Sequence, residues 1–285
     1  MKYKRKESEK MRIKCFMFCF FLLFTSAFYH VLPSYSQEPE KNARKIMEKT
    51  LNSYYYARND GKADIYMRLV NKQGKERIRE FIMLRLDKEE GGEQYYYAYF
   101  NKPPDVRRTV FMVWKHIDRD DDRWLYLPAI DLLKRISAND KRSSFVGSDF
   151  TYEDVSGRHL DDDEHTLLRE EAIEGRNAYV IKSTPKDKGE VEFSYRLIWS
   201  DKETFLSLRV EHYNRRGELY KTLETKKIEN IEGTPTVTEA VMKDLTTGHF
   251  TELKVSKIDY DVGLSTDVFQ ERFLRRPPRR WIKGE

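Results

Sequence analysis

Strict alternation of apolar and polar side chains is the feature that most constrains the fold of this chain. Between residues 191 and 199, apolar side chains occupy every second position, and Glu192, Ser194 and Arg196 lie between them. A period of two is the spacing of a β-strand, in which successive side chains point to opposite faces. Because one set is apolar and the other polar, the pattern predicts a strand with one buried and one solvated face.

The same alternation recurs in short segments between residues 65 and 260, and turn-forming residues separate them. The first two segments, 65–69 and 76–86, flank a turn at 71–74 and predict a β-hairpin. Further strands are predicted at 94–101, 108–117, 122–127, 177–184, 190–200, 204–213, 218–228, 235–244 and 249–260. About eleven strands joined by short turns predict an antiparallel meander, which curls into a barrel or half-barrel because closure removes unpaired edges.

Two helices and one irregular stretch interrupt the strand pattern. Residues 38–57 place apolar side chains three or four positions apart, which predicts a helix, and a short helix is expected from Thr266. The fold class predicted is therefore mainly β with helices (α+β). The stretch 128–172 begins with a predicted helical turn at 128–133 and then has no clear period. Long loops in compact domains commonly cover binding sites, so we interpret residues 137–158 as a lid.

The first 36 residues have the layout of a secretory signal peptide. Seven basic residues lie within positions 2–14, an apolar run follows from Cys15 to about Phe28, and small residues precede Gln37. The apolar run is about 14 residues long. A membrane anchor needs about 20. We therefore expect cleavage near Ser36 and one domain over residues 37–285, outside the cytoplasm.

The charge and the cysteines of the chain are concentrated in this N-terminal segment. The whole chain has a formal net charge of +5, and residues 1–36 contribute seven basic and two acidic side chains. The remainder is close to neutral, which disfavours binding to nucleic acid. Both cysteines, Cys15 and Cys19, also lie in this segment, so the expected mature chain has neither a disulfide nor a thiolate nucleophile.

The central part of the sequence resembles a known family of carriers. The segments that carry the resemblance are Asp-Val-Arg-Arg-Thr at 105–109, Phe-Met-Val-Trp at 111–114, Trp-Leu-Tyr-Leu-Pro-Ala at 124–129, Lys-Arg-Ile-Ser at 134–137 and the block 144–154. Their succession is similar to that of the outer-membrane lipoprotein-sorting proteins, a branch of the LolA/LolB-like lipoprotein carriers. The resemblance extends over most of residues 37–285. At one point the chain departs from the family, because Arg108 stands where we expect glycine.

The resemblance implies a curved antiparallel half-open barrel of about eleven strands, covered by helices, with an apolar hollow that accepts acyl chains. The aromatic side chains on neighbouring strands are consistent with such a hollow, because their apolar rings can line a lipid cavity. The candidate ligand-binding residues of the cavity and lid are Tyr97, Phe111, Trp114, Trp124, Tyr126, Phe145, Phe150 and Tyr152. Aromatic residues at a period of two are also the ordinary filling of a core, and both interpretations stay open.

Three patterns that suggest metal binding or catalysis are weak. The acidic run 118–122 has basic neighbours and lacks the glycine and distant glutamate of a calcium loop. His159 and His165 flank a second acidic run at a spacing that no zinc motif uses. Ser148 lies in Gly-Ser-Asp without the second glycine of a nucleophile elbow. We therefore expect no metal, no cofactor and no enzyme activity.

The function expected is that of a periplasmic carrier for lipid or for the acyl chains of lipoproteins, delivered towards the outer membrane or a membrane transporter. The alternative is a non-catalytic envelope interaction or structural module whose interior is filled by its own side chains. The basic C-terminal end is either a solvated end or a transient contact with a membrane surface. Its arginines are Arg275, Arg276, Arg279 and Arg280.

Overall fold

The computed structural model of the protein describes residues 42–89 and 91–282. The expected signal peptide, with its cleavage point near Ser36, lies outside these residues, as do positions 38–41 of the first predicted helix. Strands are the main element of the described chain, and a few short helices accompany them. The predicted class, mainly β with helices, is confirmed.

Thirteen strands form a single antiparallel sheet. Their bounds are β1 Asp60–Val70, β2 Glu76–Asp87, β3 Gln94–Lys102, β4 Val110–Lys115, β5 Asp122–Leu127, β6 Leu132–Ile136, β7 Asp163–Ile173, β8 Arg176–Pro185, β9 Tyr195–Asp201, β10 Ser207–Tyr213, β11 Leu219–Ile231, β12 Thr234–Asp244 and β13 His249–Tyr260. The sheet has two strands more than the sequence predicts. The additional strands, β6 and β7, lie in the stretch 128–172 that we expect to be irregular.

The order of the strands leaves the sheet open at one side. Across the sheet the order is β6-β5-β4-β3-β2-β1-β13-β12-β11-β10-β9-β8-β7, so the first and last strands pair in the middle. The sheet is curved and does not close, which confirms the predicted half-open barrel. Because β6 and β7 are consecutive along the chain but form the two edges, residues 137–162 connect one edge to the other. We call residues 137–162 the crossing segment.

Four α-helices and four 3-10 turns accompany the sheet within the described residues. The helices are α1 Ala43–Tyr55, α2 Tyr152–Ser156, α3 Arg272–Arg275 and α4 Arg279–Ile282, and the turns are Pro128–Ile130, Ala138–Asp140, Leu160–Asp162 and Thr266–Phe269. The prediction of a helix over 38–57 is confirmed at α1. The turns at Pro128–Ile130 and Thr266–Phe269 match the two short helical segments expected from the sequence.

Different parts of the chain cover the two faces of the sheet. On the inner face, α1 packs Ile46 and Met47 against Ile181 and Ile198 of the second half of the sheet. Fully burying an aliphatic side chain of this size stabilises the fold by about 1.5–3 kcal/mol. On the outer face, residues 262–282, which we call the C-terminal segment, pack Phe269 and Leu274 against the first half of the sheet.

Candidate functional site

An apolar cavity of about 230 Å³ lies on the inner face, between the end of α1, the first and last strands and the crossing segment. Strands β1 and β2 contribute Ile65, Met67, Phe81 and Met83 to its wall, and β13 contributes Leu253 and Val255. Successive members of each set are two residues apart, so the alternation of the strands places them on the same face. The cavity is therefore built from the alternating pattern seen in the sequence.

Tyr54 and Tyr55 close the cavity on the side of α1. The two rings contact each other edge to face, with centroids 4.9 Å apart. The Tyr55 hydroxyl donates a hydrogen bond to the backbone carbonyl of Asp154 in the crossing segment, over 3.2 Å. Burial raises the pKa of Tyr55 well above its ordinary value, so this hydroxyl stays neutral. The end of α1 and the crossing segment are thus joined at the cavity wall.

Arg85 fixes the C-terminal end of α1 at the cavity. Its guanidinium donates to the backbone carbonyls of Tyr55, Ala57 and Arg58, and the last of these bonds is 2.7 Å long. Carbonyls at a helix C-terminus have no partner within the helix and carry partial negative charge, so a cation there is favourable. The position of the helix end over the cavity therefore depends on one arginine of β2.

Asp87 supports Arg85 from the same strand. Its carboxylate lies 3.1 Å from Nη1 of Arg85 and accepts a hydrogen bond of 2.7 Å from the side-chain amide of Gln94. Gln94 also donates to the carbonyl of Tyr55 over 2.9 Å. Burial raises the pKa of Asp87 to about 6, although the charge of Arg85 acts in the opposite direction. The anchor of α1 therefore contains a group that titrates in mildly acidic solution.

A second cavity, of about 130 Å³ and lined by both apolar and charged side chains, lies under the middle of α1. It shares Tyr54, Tyr55 and Asp154 with the apolar cavity, so the two are neighbours along the helix. Arg158 and Arg196 in its wall bind the carboxylate of Asp163, over 3.0 and 2.6 Å. The inner face thus changes from apolar to charged along α1.

Two ionisable groups of this second cavity, Asp163 and His212, are held in fixed charge states. Burial acts to raise the pKa of Asp163, but the guanidiniums of Arg196 and Arg158 outweigh it, and the net shift is downward. Burial lowers the pKa of His212 well below its ordinary value, and the charges of Arg196 and Lys221 act in the same direction. Asp163 is therefore ionised and His212 neutral near pH 7.

Four of the eight predicted ligand-binding residues meet on the inner face. Phe145 and Phe150 line the apolar cavity. Phe111 and Tyr152 pack behind Phe145, with ring centroids 5.4 and 5.7 Å from it. Phe145 is only 2% exposed, so this part of the predicted lid is packed into the core of the first half of the sheet.

The other four, Tyr97, Trp114, Trp124 and Tyr126, pack in the cluster on the outer face under the C-terminal segment. The Tyr97 hydroxyl donates to the carbonyl of Phe273 over 2.7 Å, and the Trp114 indole donates to the carbonyl of Phe269 over 2.8 Å. They do not line the apolar cavity. Their position is explained by this packing, which holds the C-terminal segment to the sheet.

Most cavity residues outside the predicted set come from α1, β1, β2, β12 and β13, and Tyr96, Val155 and Leu206 complete the wall. The alternation in 65–69 and 249–260 predicts that successive side chains lie on opposite faces of the sheet. It does not predict which of these faces is covered by which helix. The pairing of β1 with β13 brings Met67 opposite Leu253, and these residues are 186 positions apart in the chain. No local pattern predicts such a pairing.

Neither a metal site nor a membrane-spanning helix is found in the described part of the chain. Among residues 42–89 and 91–282, no three or more His, Cys, Asp or Glu side chains converge as metal ligands. None of the helices described there is both long and apolar enough to cross a bilayer.

Comparisons with known proteins agree with this architecture. A family model described as an uncharacterized protein matches residues 92–276. An outer membrane lipoprotein-sorting protein domain from Vibrio parahaemolyticus is 30% identical, with a TM-score of 0.76, and the match covers 82% of this chain and 98% of that one. A DUF1329 family protein from Desulfovibrio piger is 31% identical, with a TM-score of 0.75, and the match covers 83% of this chain and 99% of that one. None of the curated protein sequences matches the chain.

A more distant structure shares the fold. A LolA superfamily protein from Nitrosomonas europaea is 22% identical, with a TM-score of 0.63, and the match covers 81% of this chain and 98% of that one. These similarities extend over most of this chain and nearly all of each matched protein, so the overall fold is shared. The chain belongs to the family of the outer-membrane lipoprotein-sorting and DUF1329 proteins.

Proposed function

We propose that the protein is a periplasmic carrier that binds lipid, or the acyl chains of lipoproteins, in the apolar cavity. It delivers this cargo towards the outer membrane or to a membrane transporter. The observation that supports the proposal is the cavity itself, whose wall of Ile65, Met67, Phe81, Leu253 and Val255 offers aliphatic and aromatic surface under a helix. Apolar walls with few polar groups are typical of sites for hydrocarbon ligands.

The crossing segment acts as the lid of this cavity. Phe145 and Phe150 of the segment form part of the wall, and the backbone amide of Asp149 donates to the Thr251 hydroxyl over 3.0 Å. The same hydroxyl donates to the Asp149 carboxylate over 2.7 Å, so two hydrogen bonds hold the lid to β13. Hydrogen bonds of this kind are each worth about 0.5–1.5 kcal/mol, so they add modestly to the packing of Phe145 that also holds the lid on the sheet.

We further propose that the protein is not an enzyme. Ser148, the only serine with a resemblance to a nucleophile elbow, is buried and donates its hydroxyl to the carbonyl of Phe145 over 2.7 Å. A hydroxyl engaged in this way, without a neighbouring base, is a poor nucleophile. This arrangement supports a role of Ser148 in shaping the turn of the lid.

Native mass spectrometry of the purified protein tests the proposal directly. A carrier is expected to retain lipid and to take up a fluorescent fatty acid after delipidation. In Leu253→Trp, the larger ring fills the cavity and uptake is expected to fall at least tenfold. Lys254→Trp is the matched control, because the neighbouring side chain is half exposed and absent from the cavity wall. An apo mass without uptake by the wild type would contradict the proposal and favour the interaction module.

A further inference from the structure

A further pocket, of about 610 Å³, lies on the outer face between β3, the loop that joins β3 to β4, and the C-terminal segment. It is remote from the apolar cavity, and the two share no lining residue. Four arginines dominate its wall, together with a tyrosine, a proline and an isoleucine: Arg108, Arg275, Arg276, Arg279, Tyr99, Pro277 and Ile282. No acidic side chain belongs to this wall, so we call it the arginine pocket.

The charge of the arginine pocket is only partly neutralised by the protein. Arg275 pairs with Asp131, and its guanidinium lies 5.2 Å from the centre of the Tyr126 ring. Among the residues that the structure describes, no carboxylate comes within 4.0 Å of Arg108, Arg276 or Arg279. All three of these side chains are exposed. Guanidinium groups so placed attract an anion with several oxygens, because each can donate two parallel hydrogen bonds.

Arg108 has a backbone conformation that is strained for a residue with a side chain. Its φ angle is 68°, in the left-handed region that favours glycine. The neighbouring Arg107 is also exposed but does not line the pocket. Seven other non-glycine residues of the described chain also have a positive φ, so the conformation marks the position as one that suits glycine and does not by itself mark a site. The chain therefore has an arginine directed to the pocket at a position where glycine would be easier.

Exposed apolar side chains lie beside the pocket. Ile130 and Leu132 are 69% and 42% exposed, and they flank Asp131, which binds Arg275. A free inorganic anion gains nothing from aliphatic surface. The interface of a membrane, in contrast, offers phosphate groups next to acyl chains, and it binds basic and apolar side chains together.

We propose that the arginine pocket binds the phosphate of an anionic lipid headgroup and docks the outer face of the protein on a membrane surface. Arg108, Arg276 and Arg279 coordinate the phosphate, and Ile130 and Leu132 enter the headgroup region. This inference is independent of the acyl-chain proposal, because it concerns the opposite face of the sheet. The proposal adds Arg108 to the C-terminal arginines. The membrane contact is then a defined phosphate site and not a general electrostatic attraction of a basic chain end.

Co-sedimentation with vesicles of phosphatidylglycerol and phosphatidylcholine tests the proposal. The wild type is expected to bind vesicles that contain phosphatidylglycerol, and less so as salt is raised. Arg108→Gln is expected to weaken binding at least tenfold, because it removes both a basic residue near the surface and the paired hydrogen bonds of its guanidinium to the phosphate. Arg107→Gln removes the same charge one position away, outside the pocket, and is expected to weaken binding at most about fivefold. If the two variants lose vesicle binding equally, the pocket is not the binding site and the attraction to the membrane is a general one between charges.

Arg108→Gly separates binding from folding. Glycine relieves the left-handed backbone, so the melting temperature is expected to stay the same or rise while vesicle binding falls as in Arg108→Gln. Uptake of a fluorescent fatty acid is expected to be unchanged in both variants, which distinguishes this site from the apolar cavity. The membrane assignment would be wrong if the wild-type protein did not bind phosphatidylglycerol vesicles. It would also be wrong if the protein bound inorganic phosphate at millimolar concentration and not the vesicles.

Discussion

The length of the acyl chain is the variable that tests the apolar cavity most directly. Each methylene group buried from water contributes about 0.8 kcal/mol, which is about a fourfold gain in affinity. An apolar cavity of about 150 Å³ is known to take up benzene, which corresponds to about 25 Å³ for each carbon. On that scale the cavity of about 230 Å³ holds about nine carbons. The gross gain for a chain that fills it is about 7 kcal/mol.

The affinity of saturated fatty acids is therefore expected to rise about fourfold per carbon and to level off once about nine carbons are enclosed. Leu253→Trp adds six non-hydrogen atoms to the wall, which at about 25 Å³ each occupy roughly 150 Å³. The remaining space holds about three carbons, so the plateau moves to shorter chains. The predicted loss for a long chain is at most about 5 kcal/mol. Partial exposure of the acyl chain to water and adjustment of the lid reduce this loss. We therefore expect the affinity of Leu253→Trp for a long acyl chain to fall at least tenfold.

The measurement is displacement of a fluorescent fatty acid from delipidated protein by acids of 4 to 18 carbons, at one pH and one salt concentration. Lys254→Trp is measured in parallel and is expected to follow the wild type. Calorimetry on two chain lengths checks that displacement reports on binding. If affinity rises without a break up to 18 carbons, or if the plateau stays in place in Leu253→Trp, the cavity described above is not the binding site.

Three further predictions concern stability. Arg85→Met removes the donor to the carbonyls of Ala57 and Arg58 and one of the two donors to that of Tyr55, and is expected to lower the free energy of unfolding by about 3 kcal/mol in urea titrations, since hydrogen bonds to charged groups contribute about 1.5–3 kcal/mol. The raised pKa of Asp87, about 6, means that the folded state holds this proton more tightly than the unfolded state. The contribution of protonated Asp87 to the free energy of unfolding is present below about pH 4 and is lost as the pH rises through 6. In Asp87→Asn the free energy of unfolding is therefore expected to vary less with pH over that range. Phe145→Ala leaves a cavity in a buried aromatic cluster and is expected to lower the free energy of unfolding by about 3–5 kcal/mol in the same titrations. Phe250→Ala, at a half-buried position, is expected to lower it by less.

The strands that the sequence predicts are those with at least one buried face. The segments 94–101, 122–127 and 249–260 match β3, β5 and β13 to within a residue. In β13 the side chains alternate between the two faces, whereas β3 and β5 are buried on both faces and are marked by their run of apolar and aromatic residues. The two missed strands are edges. Most of β6 and β7 is exposed or half-buried, and β7 contains the charged run Arg169, Glu170 and Glu171, which protects an edge from pairing with another chain. Without a buried face, such strands show no apolar period.

The candidate site is less accessible to sequence reasoning than the fold. Aromatic residues on β3 to β5 are evident in the sequence, but consecutive positions on a strand belong to different faces. Tyr96 joins the inner cluster, whereas Tyr97 lies in the outer one and contacts the C-terminal segment. Which set lines a cavity depends on which segment covers each face. That is decided by contacts between residues far apart in the chain.

The seam between β1 and β13 sets the order in which the molecule can be completed. These strands pair over ten positions, from Gly61 with Tyr260 to Val70 with Phe250, and they join the two halves of the sheet. A growing chain lacks β13 until residues 249–260 have been made, and contacts of such long range form slowly. Until then β1 and β12 both present unpaired backbone, the surface through which sheets aggregate. The full sheet thus forms only after β13 has been synthesised, and truncation before residue 249 would leave two half-sheets with unpaired, aggregation-prone edges.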